Sequence, residues 1–553
     1  MKFFRIKEAP LYMAPFFLCV AIAFYVFCYP ILTNDGPIHL SFSYLIANMD
    51  ENPLQARVYI DDFRFVTNAL AYAIMIPFIE LVSPSFAESV IQCICLISPV
   101  VLGYLLIRRI SRDNAFLAAF ILPLSFNQMF FLGLYNYCLS ISLFLVCLIV
   151  YDWLFNAPSF LKAVLLSVAL LATFLAHPSG FIIAWCSLAA VTGVNQLILL
   201  AEKMPLKTVV FDARHLIVAL CLPLAVVPFL TSSDADGAIG FGPGPVSRAY
   251  QFLTLRLLNI AGWDSFVALG VAAVLLAGGL WAALEVFRNP DRWTRYAAFG
   301  DVSIIAAGLV SGLIMMIFPD LLGGGWTHFR RFVVFPYLWL VLLMACQFYP
   351  LWAKRALAAV AAVVTVLLLG SVWVSDQTAR AQIAPLAQAD GAIGSHCTVL
   401  PVVFSPFPVD SAGKEIMQAY TPFFQAASRL ELHDDRVILF NYLARLNVYP
   451  VRFRPEAEPM GHLFHWEPYT QEVSITQIDI EGYEKHSGIP VDYLLVWGTP
   501  APEHDRLWSQ VEAEAQKSDL VLRSEDGRMS LYRRPTQGST CVARDSLKPD
   551  ISG

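Results

Sequence analysis

Asp35 is the residue whose type and position most directly suggest chemistry. It stands in Thr33-Asn34-Asp35-Gly36-Pro37-Ile38-His39-Leu40, just past a first apolar run. A carboxylate at such a boundary could accept a proton from an incoming hydroxyl, or hold a divalent metal that bridges phosphates. The same residues also read as a turn or helix-capping aspartate, because Asn-Asp-Gly-Pro is turn chemistry and Pro starts helices. A helix from Pro37 to about Met49 should follow, with Ile38, Phe42, Leu45, Ile46 and Met49 at helical spacing. His39 would sit near its first turn, as a candidate binding residue. Asp61 and Asp62 follow, with Arg64 behind them, as further binding candidates. Neighbours in an extended chain point to opposite sides, so this pair does not imply a two-carboxylate site, and a solvated loop fits it too.

Fewer signals come from elsewhere. Asp234-Ala235-Asp236-Gly237 looks like the start of a calcium loop, but the later ligands and the closing Glu are missing. His177, in Ala176-His177-Pro178-Ser179-Gly180, reads equally as cavity lining or as a turn cap. His462 and His465 have no evident third ligand. Asn441-Tyr442 and the run Tyr449 to Arg454 could bind a substrate or simply face solvent. No phosphate loop, nucleophile elbow, zinc spacing or internal repeat is found.

The elements that must position these residues are mostly apolar. The chain has 553 residues, 57% hydrophobic and 14% charged, against about 25% charged in an average soluble domain. This excludes a soluble globule and a disordered chain. The net charge of −6 argues against nucleic acid as a partner. About half of the charges lie after Ser375. The expected fold is therefore an α-helical polytopic membrane domain over residues 1–375, and a soluble α/β domain over residues 376–553. Apolar runs of the length that crosses a bilayer, about 20 residues, lie near 11–32, 88–107, 115–131, 134–154, 160–176, 179–200, 214–231, 264–286, 300–318, 331–349 and 354–375.

Eleven spans are thus expected, and basic loops set their sense. Arg108 to Arg112, Lys203 to Arg214, Arg288 to Arg295 and Lys354-Arg355 fall inside; Asp35, Asp61-Asp62, Asp234, Asp236 and Asp320 fall outside. The N-terminus is then cytoplasmic, the first outer loop covers residues 33–65, and the C-terminal domain lies outside. Residues 65–82, apolar but carrying Glu80, read as an interfacial or partly inserted helix. The sparse charges Glu80, Glu88, Asp152, Lys162 and Glu285 lie near the ends of their runs and should reach the interface.

In the C-terminal domain, Thr398–Phe404, Val437–Phe440 and Val491–Trp497 read as strands and Glu503–Lys517 as a helix. A hairpin joins Asp519–Arg523 to Met529–Arg533. Nine of the eleven cysteines fall in or beside apolar segments. Cys397 and Cys541 remain, and an outside compartment permits a disulfide between them.

This layout resembles the GT-C superfamily of membrane glycosyltransferases. The likeness lies in a basic N-terminus, one span, an outer loop with an early acid and surface helices, many further spans, and an outer C-terminal α/β domain. Asp35-Gly36-Pro37-x-His39 looks like the first-loop motif of uncharacterised bacterial members, and Tyr135-Asn136-Tyr137 is similar to a later motif. The resemblance implies an inverting transferase of the bacterial inner membrane. It would move a sugar from a polyprenyl-phosphate-linked donor to a glycan, lipid or protein acceptor at the outer, periplasmic face. Asp35 matches the acidic residue that serves there as base or metal ligand. Many members carry two adjacent acids; Asn34-Asp35 leaves the need for Mg or Mn open and favours a lone base.

A phosphate-bearing donor calls for cations, and Gly323-Gly324-Gly325-Trp326-Thr327-His328-Phe329-Arg330-Arg331 offers Arg330 and Arg331, with His328 assisting. Lipid-headgroup anchoring is the alternative for that pair. A mobile loop over Thr231–Trp263, with Arg248 and Arg256 behind it, could cover the substrate cleft. Two other functions remain open: a transporter or flippase of a lipid-linked envelope precursor, although no inverted halves are visible, and a non-catalytic scaffold of envelope assembly.

Overall fold

In the computed structural model, residues 9–63, 67–230, 239–261, 264–293, 296–322, 328–417, 419–446, 449–466, 475–536 and 538–542 are described. The glycines of 323–325, Asp234, Asp236 and Arg64 lie outside these, as does the side chain of His465. The chain packs as two compact units. The first comprises Met1–Ile31, Phe65–Ala71 and Ser89–Trp373; the second comprises Leu32–Arg64, Tyr72–Glu88 and Val374–Gly553. Residues 32–64 therefore group with the C-terminal residues.

The first unit is helical. Among the described residues, six helices are long and apolar enough to cross a membrane: Pro84–Ile110, Tyr135–Asn156, Pro178–Ala201, Asp264–Arg288, His328–Ala345 and the stretch Leu351–Ala392. Shorter apolar helices include Leu70–Leu81 and Phe160–Ala176. This is a polytopic α-helical membrane protein. Its helices approach closely where side chains are small. A Cβ on Gly180 would meet Ser140 Oγ at 2.4 Å, so Pro178–Ala201 seats against Tyr135–Asn156 only with glycine there.

One expected span is not a single helix. Residues 115–131 form a 3-10 helix, Arg112–Phe120, then short helices Ile121–Ser125 and Gln128–Phe131. Asn127 breaks the run, its side chain accepting from Met129 N–H at 2.9 Å and donating to Leu124 O at 2.9 Å. Every residue from Asn114 to Asn127 is buried. The apolar composition here serves packing against protein, where irregular backbone is tolerated at membrane depth. Glu88 also departs from expectation. It is fully buried and pairs with Arg429 at 2.7 Å.

The second unit contains a five-stranded sheet. Its order is Asp519–Arg523, Met529–Arg533, Tyr493–Trp497, Thr398–Val403, Val437–Ile438. Thr398–Val403 runs parallel to both of its neighbours, and the first two strands form the expected hairpin. Helix Asp505–Gln516 precedes the hairpin. The all-buried pattern of Thr398–Val403 explains its unbroken apolar sequence, because parallel strands are covered on both faces. Tyr59–Asp61 from the first outer loop adds an antiparallel pair with Val451–Phe453.

Cys397 and Cys541 are joined by a disulfide, with Cα atoms 4.4 Å apart across 144 residues of sequence. Closing so long a loop restricts the unfolded chain, which stabilises by about 3–5 kcal/mol. Alkylation without reduction, read by intact mass, is expected to leave these two cysteines unlabelled. Cys541→Ser should lower the melting temperature of the full chain.

Candidate active site

The second unit holds Asp35. The apolar run ends in helix Ala9–Cys28, and a non-helical stretch leads to Gly36–Asn48, close to the helix expected from the sequence. Asp35 occupies the position before this helix, but its side chain makes no capping hydrogen bond. The capping reading therefore does not describe it. The carboxylate is nearly buried, at 6% exposure. Its Oδ1 accepts from Asn34 Nδ2 at 2.6 Å and from the Tyr442 hydroxyl at 2.8 Å. Asn34 Oδ1 in turn accepts from Thr421 Oγ1. Two donors thus fix one oxygen and orient the group. The segment before it is tied down as well, Leu32 N–H donating to Asp376 Oδ1 at 3.1 Å.

His39 lies one turn on, its N–H donating to the Asp35 carbonyl at 3.0 Å. It is buried, with Nδ1 2.6 Å from the Tyr72 hydroxyl and its ring 6.0 Å from that of Tyr449. Burial lowers its pKa to about 3, so it stays neutral at ordinary pH. Asp61 and Asp62 have different surroundings. Asp61 accepts from Phe63 N–H at 2.8 Å, and Asp62 pairs with Arg452 at 2.8 Å. Their hydrogen bonds hold loop and strand.

A buried carboxylate absent from the sequence reading braces this helix. Glu431 accepts from Ser41 Oγ, from the Tyr59 hydroxyl at 2.8 Å and from Ile438 N–H at 3.1 Å. No short motif marks Glu431, because its partners are remote in sequence. Thr421 and Tyr72 were equally invisible.

A divalent metal at Asp35 finds little support in the donor set. Its Oδ1 already receives two hydrogen bonds. Among the described residues the one cluster of three metal-type ligands is Cys397, Asp492 and Cys541, whose cysteines are bonded to each other. Asp35 is in no such cluster.

The first unit holds the arginines. Helix His328–Phe332 carries Arg330 and Arg331. Arg330 Nη1 donates to Gln128 Oε1 at 3.0 Å. The Arg331 carbonyl accepts from the Tyr137 hydroxyl at 2.7 Å, and its Nη1 lies 2.8 Å from His177 Nε2. His177 Nδ1 accepts from Ser179 N–H at 3.1 Å, capping Pro178–Ala201. A neutral imidazole accepts at one nitrogen only. With Nδ1 accepting, Nε2 carries the proton and faces another donor. With the tautomer reversed, Nδ1–H faces the Ser179 N–H. One donor–donor opposition remains in either form.

The Tyr135-Asn136-Tyr137 motif has a positioning role here. Tyr135 OH accepts from Gln92 at 3.0 Å, and Asn136 bonds Ala71 N–H and the Asn68 carbonyl, each at 2.7 Å. Tyr137 holds Arg331. His328, half-buried, stacks edge-on against Phe318 with centroids 6.0 Å apart.

Fold and site together define a multi-pass helical membrane protein with an α/β unit, a buried oriented carboxylate and an arginine–histidine cluster. No protein-family model and no curated protein sequence matches the chain. Among solved structures it is similar to ArnT from Cupriavidus metallidurans in the apo state, at 12% identity and TM-score 0.48, over 94% of this chain and 97% of that one. The same protein bound to undecaprenyl phosphate gives 12% identity and TM-score 0.42, over 94% and 98%. The oligosaccharyltransferase of Archaeoglobus fulgidus, tethered by a disulfide to an acceptor peptide with the NVT sequon, gives 12% and TM-score 0.40, over 96% and 75%. The likeness is one of general architecture.

Burial raises the Glu431 pKa from 4.5 to about 7. The folded state keeps a proton that the unfolded state releases, so this stability is full below 4.5 and is lost as pH rises through 7. His39 acts oppositely: its contribution is full above 6.5 and is lost as pH falls toward 3. Glu431→Gln mimics the protonated acid. Denaturation below about pH 4.5 and above about pH 7 should show the variant gaining on the native protein at high pH, by on the order of 3 kcal/mol. An unchanged difference across that window would reject the assignment.

Proposed function

We propose that the protein is a membrane glycosyltransferase of GT-C type. It moves a sugar from a polyprenyl-phosphate-linked donor to an acceptor hydroxyl at the outer face of the membrane. The observation that carries this reading is Asp35: an almost buried carboxylate that caps nothing, held by Asn34 and Tyr442. Burial and fixed donors suit a general base oriented for one proton transfer.

In the reaction, the acceptor oxygen bonds to the anomeric carbon as its proton passes to Asp35. The bond from that carbon to the phosphate oxygen breaks, and the phosphate leaves with the electron pair. A single displacement of this kind inverts the anomeric centre. The role of holding the phosphate falls to Arg331 and Arg330, supported by the donor excess at His177. Asp35 works here as a base without a metal. His39, neutral, keeps the start of the helix in register through Tyr72. The acceptor class stays broad: glycan, lipid or protein.

Purified protein in lipid, tested against a panel of polyprenyl-phosphate sugars, is expected to transfer one of them. Asp35→Asn keeps the Oδ1 acceptor and should fold, yet lower transfer by at least about a hundredfold. Normal transfer by this variant would rule out the base assignment. Movement of the lipid across the bilayer with no sugar released would favour a flippase instead. Arg331→Gln should raise the donor KM.

A further inference from the structure

Arg248 lies in helix Pro245–Leu253 of the first unit and is 2% exposed. Its guanidinium is taken up by backbone carbonyls. Nε donates to Pro243 O at 2.9 Å, and Nη2 to Phe241 O. Nη1 reaches Met315 O at 3.2 Å, Met316 O at 3.1 Å and Phe318 O at 2.6 Å. The last three belong to the end of helix Asp301–Ile317, where carbonyls lack an intrahelical N–H. A cation is favoured at that end of a helix. Arg248 therefore caps one helix and closes its own loop.

The same guanidinium lies 5.3 Å from the ring of Phe329, the residue before Arg330. Phe329 N–H donates to Asp320 Oδ1 at 2.9 Å, and Asp320 N–H donates to Gly240 O at 2.8 Å. Gly242, at φ +57°, lies so close that a Cβ would meet the Asp320 carboxylate at 2.6 Å. Loop 240–248, Asp320 and helix His328–Phe332 are thus one locked knot. Asp320 is also within electrostatic reach of both Arg248 and Arg330.

We propose that Arg248 is a positioning residue for the Arg330–Arg331 anion site, which takes the phosphate of an isoprenoid-linked sugar donor and keeps it as the phosphate monoester released by transfer. This rests on the reading that those arginines hold the donor phosphate. All three nitrogens of Arg248 donate to carbonyls, and in this proposal it contributes no ligand contact. It acts by fixing Phe329, the neighbour of Arg330, and the end of helix Asp301–Ile317. Lysine cannot replace it, because one ammonium cannot span carbonyls from both the loop and the helix end.

The test uses the full chain in phosphatidylcholine nanodiscs, with a polyprenyl phosphate as probe. The matching polyprenol and inorganic phosphate separate tail from headgroup. Arg248→Gln and Arg248→Lys should each weaken polyprenyl phosphate binding about tenfold, and leave polyprenol binding unchanged. A merely structural role would weaken both. Arg331→Gln should weaken the phosphate probe, and the Arg248→Gln/Arg331→Gln double variant should be no weaker than Arg331→Gln alone. Where the Arg248 variants lose their melting transition, Phe329→Leu carries the test, since it keeps the helix cap and should give a smaller loss of the same kind. Normal phosphate binding in the Arg248 and Phe329 variants, additive losses, or equal loss of polyprenol overturns the proposal. Should Arg331→Gln itself bind normally, the phosphate-site reading falls and the inference with it. Weak Arg331→Gln with normal Arg248→Gln sinks the inference alone.

Discussion

An apolar interior leaves no water for a backbone group freed by a break in a helix, and each such group must find a protein partner. This constraint governs where the polar side chains of the first unit sit. Where helix Ala9–Cys28 has ended, Gln92 serves both backbone groups of Ile31, accepting from its N–H at 2.8 Å and donating to its carbonyl at 2.9 Å. Ahead of Leu70–Leu81, Asn136 does the same for Ala71 and Asn68. Asn114 covers the carbonyls of Ala345 and Gln347 after Val334–Ala345. Arg248 covers the end of Asp301–Ile317. At each of these four breaks an amide or guanidinium side chain takes up the freed backbone groups.

The second unit meets a related demand with carboxylates. Asp435 takes the Leu54 and Gln55 N–H groups, each at 3.0 Å, at the start of Pro53–Val58, and Glu431 takes Ser41, Tyr59 and Ile438. Both acids lie close together in sequence and brace the same outer loop. Asp35 differs in kind. Its Oδ1 accepts from two side chains, Asn34 and Tyr442, and its side chain makes no capping bond to the nearby helix start. The distinction between a bracing acid and a poised one is therefore visible in what each accepts.

Sequence reading succeeded where the signal was local. The hairpin Asp519–Arg523/Met529–Arg533 follows from strand residues around a Glu-Asp-Gly-Arg turn, and the helix after Asp35 follows from its spacing. The disulfide was legible because Cys397 and Cys541 alone lie away from apolar runs. Failures had two sources. Residues 115–131 are apolar because protein covers them, and composition does not distinguish protein from lipid as the neighbour. The site partners are remote: Tyr442 and Asp35 are 407 residues apart, and Arg331 and His177 are 154 apart. The Tyr-Asn-Tyr motif was visible, but its three separate duties come from the fold.

A buried and a half-buried guanidinium of the first unit show how structural and binding roles divide. Arg248 is met by carbonyls at each of its three nitrogens, and its charge sits at a helix end. Arg331 instead turns an N–H toward an imidazole whose other nitrogen is already committed to Ser179. Folding alone gains nothing from that opposition, since a carbonyl or amide in place of His177 would satisfy the arginine better. Such a local cost persists where another requirement outweighs it. An anion accepting from both groups supplies that requirement, because it turns the opposed donors into two charge-assisted bonds. Under the proposed function that anion is the donor phosphate, and Arg248, met by carbonyls, is a support.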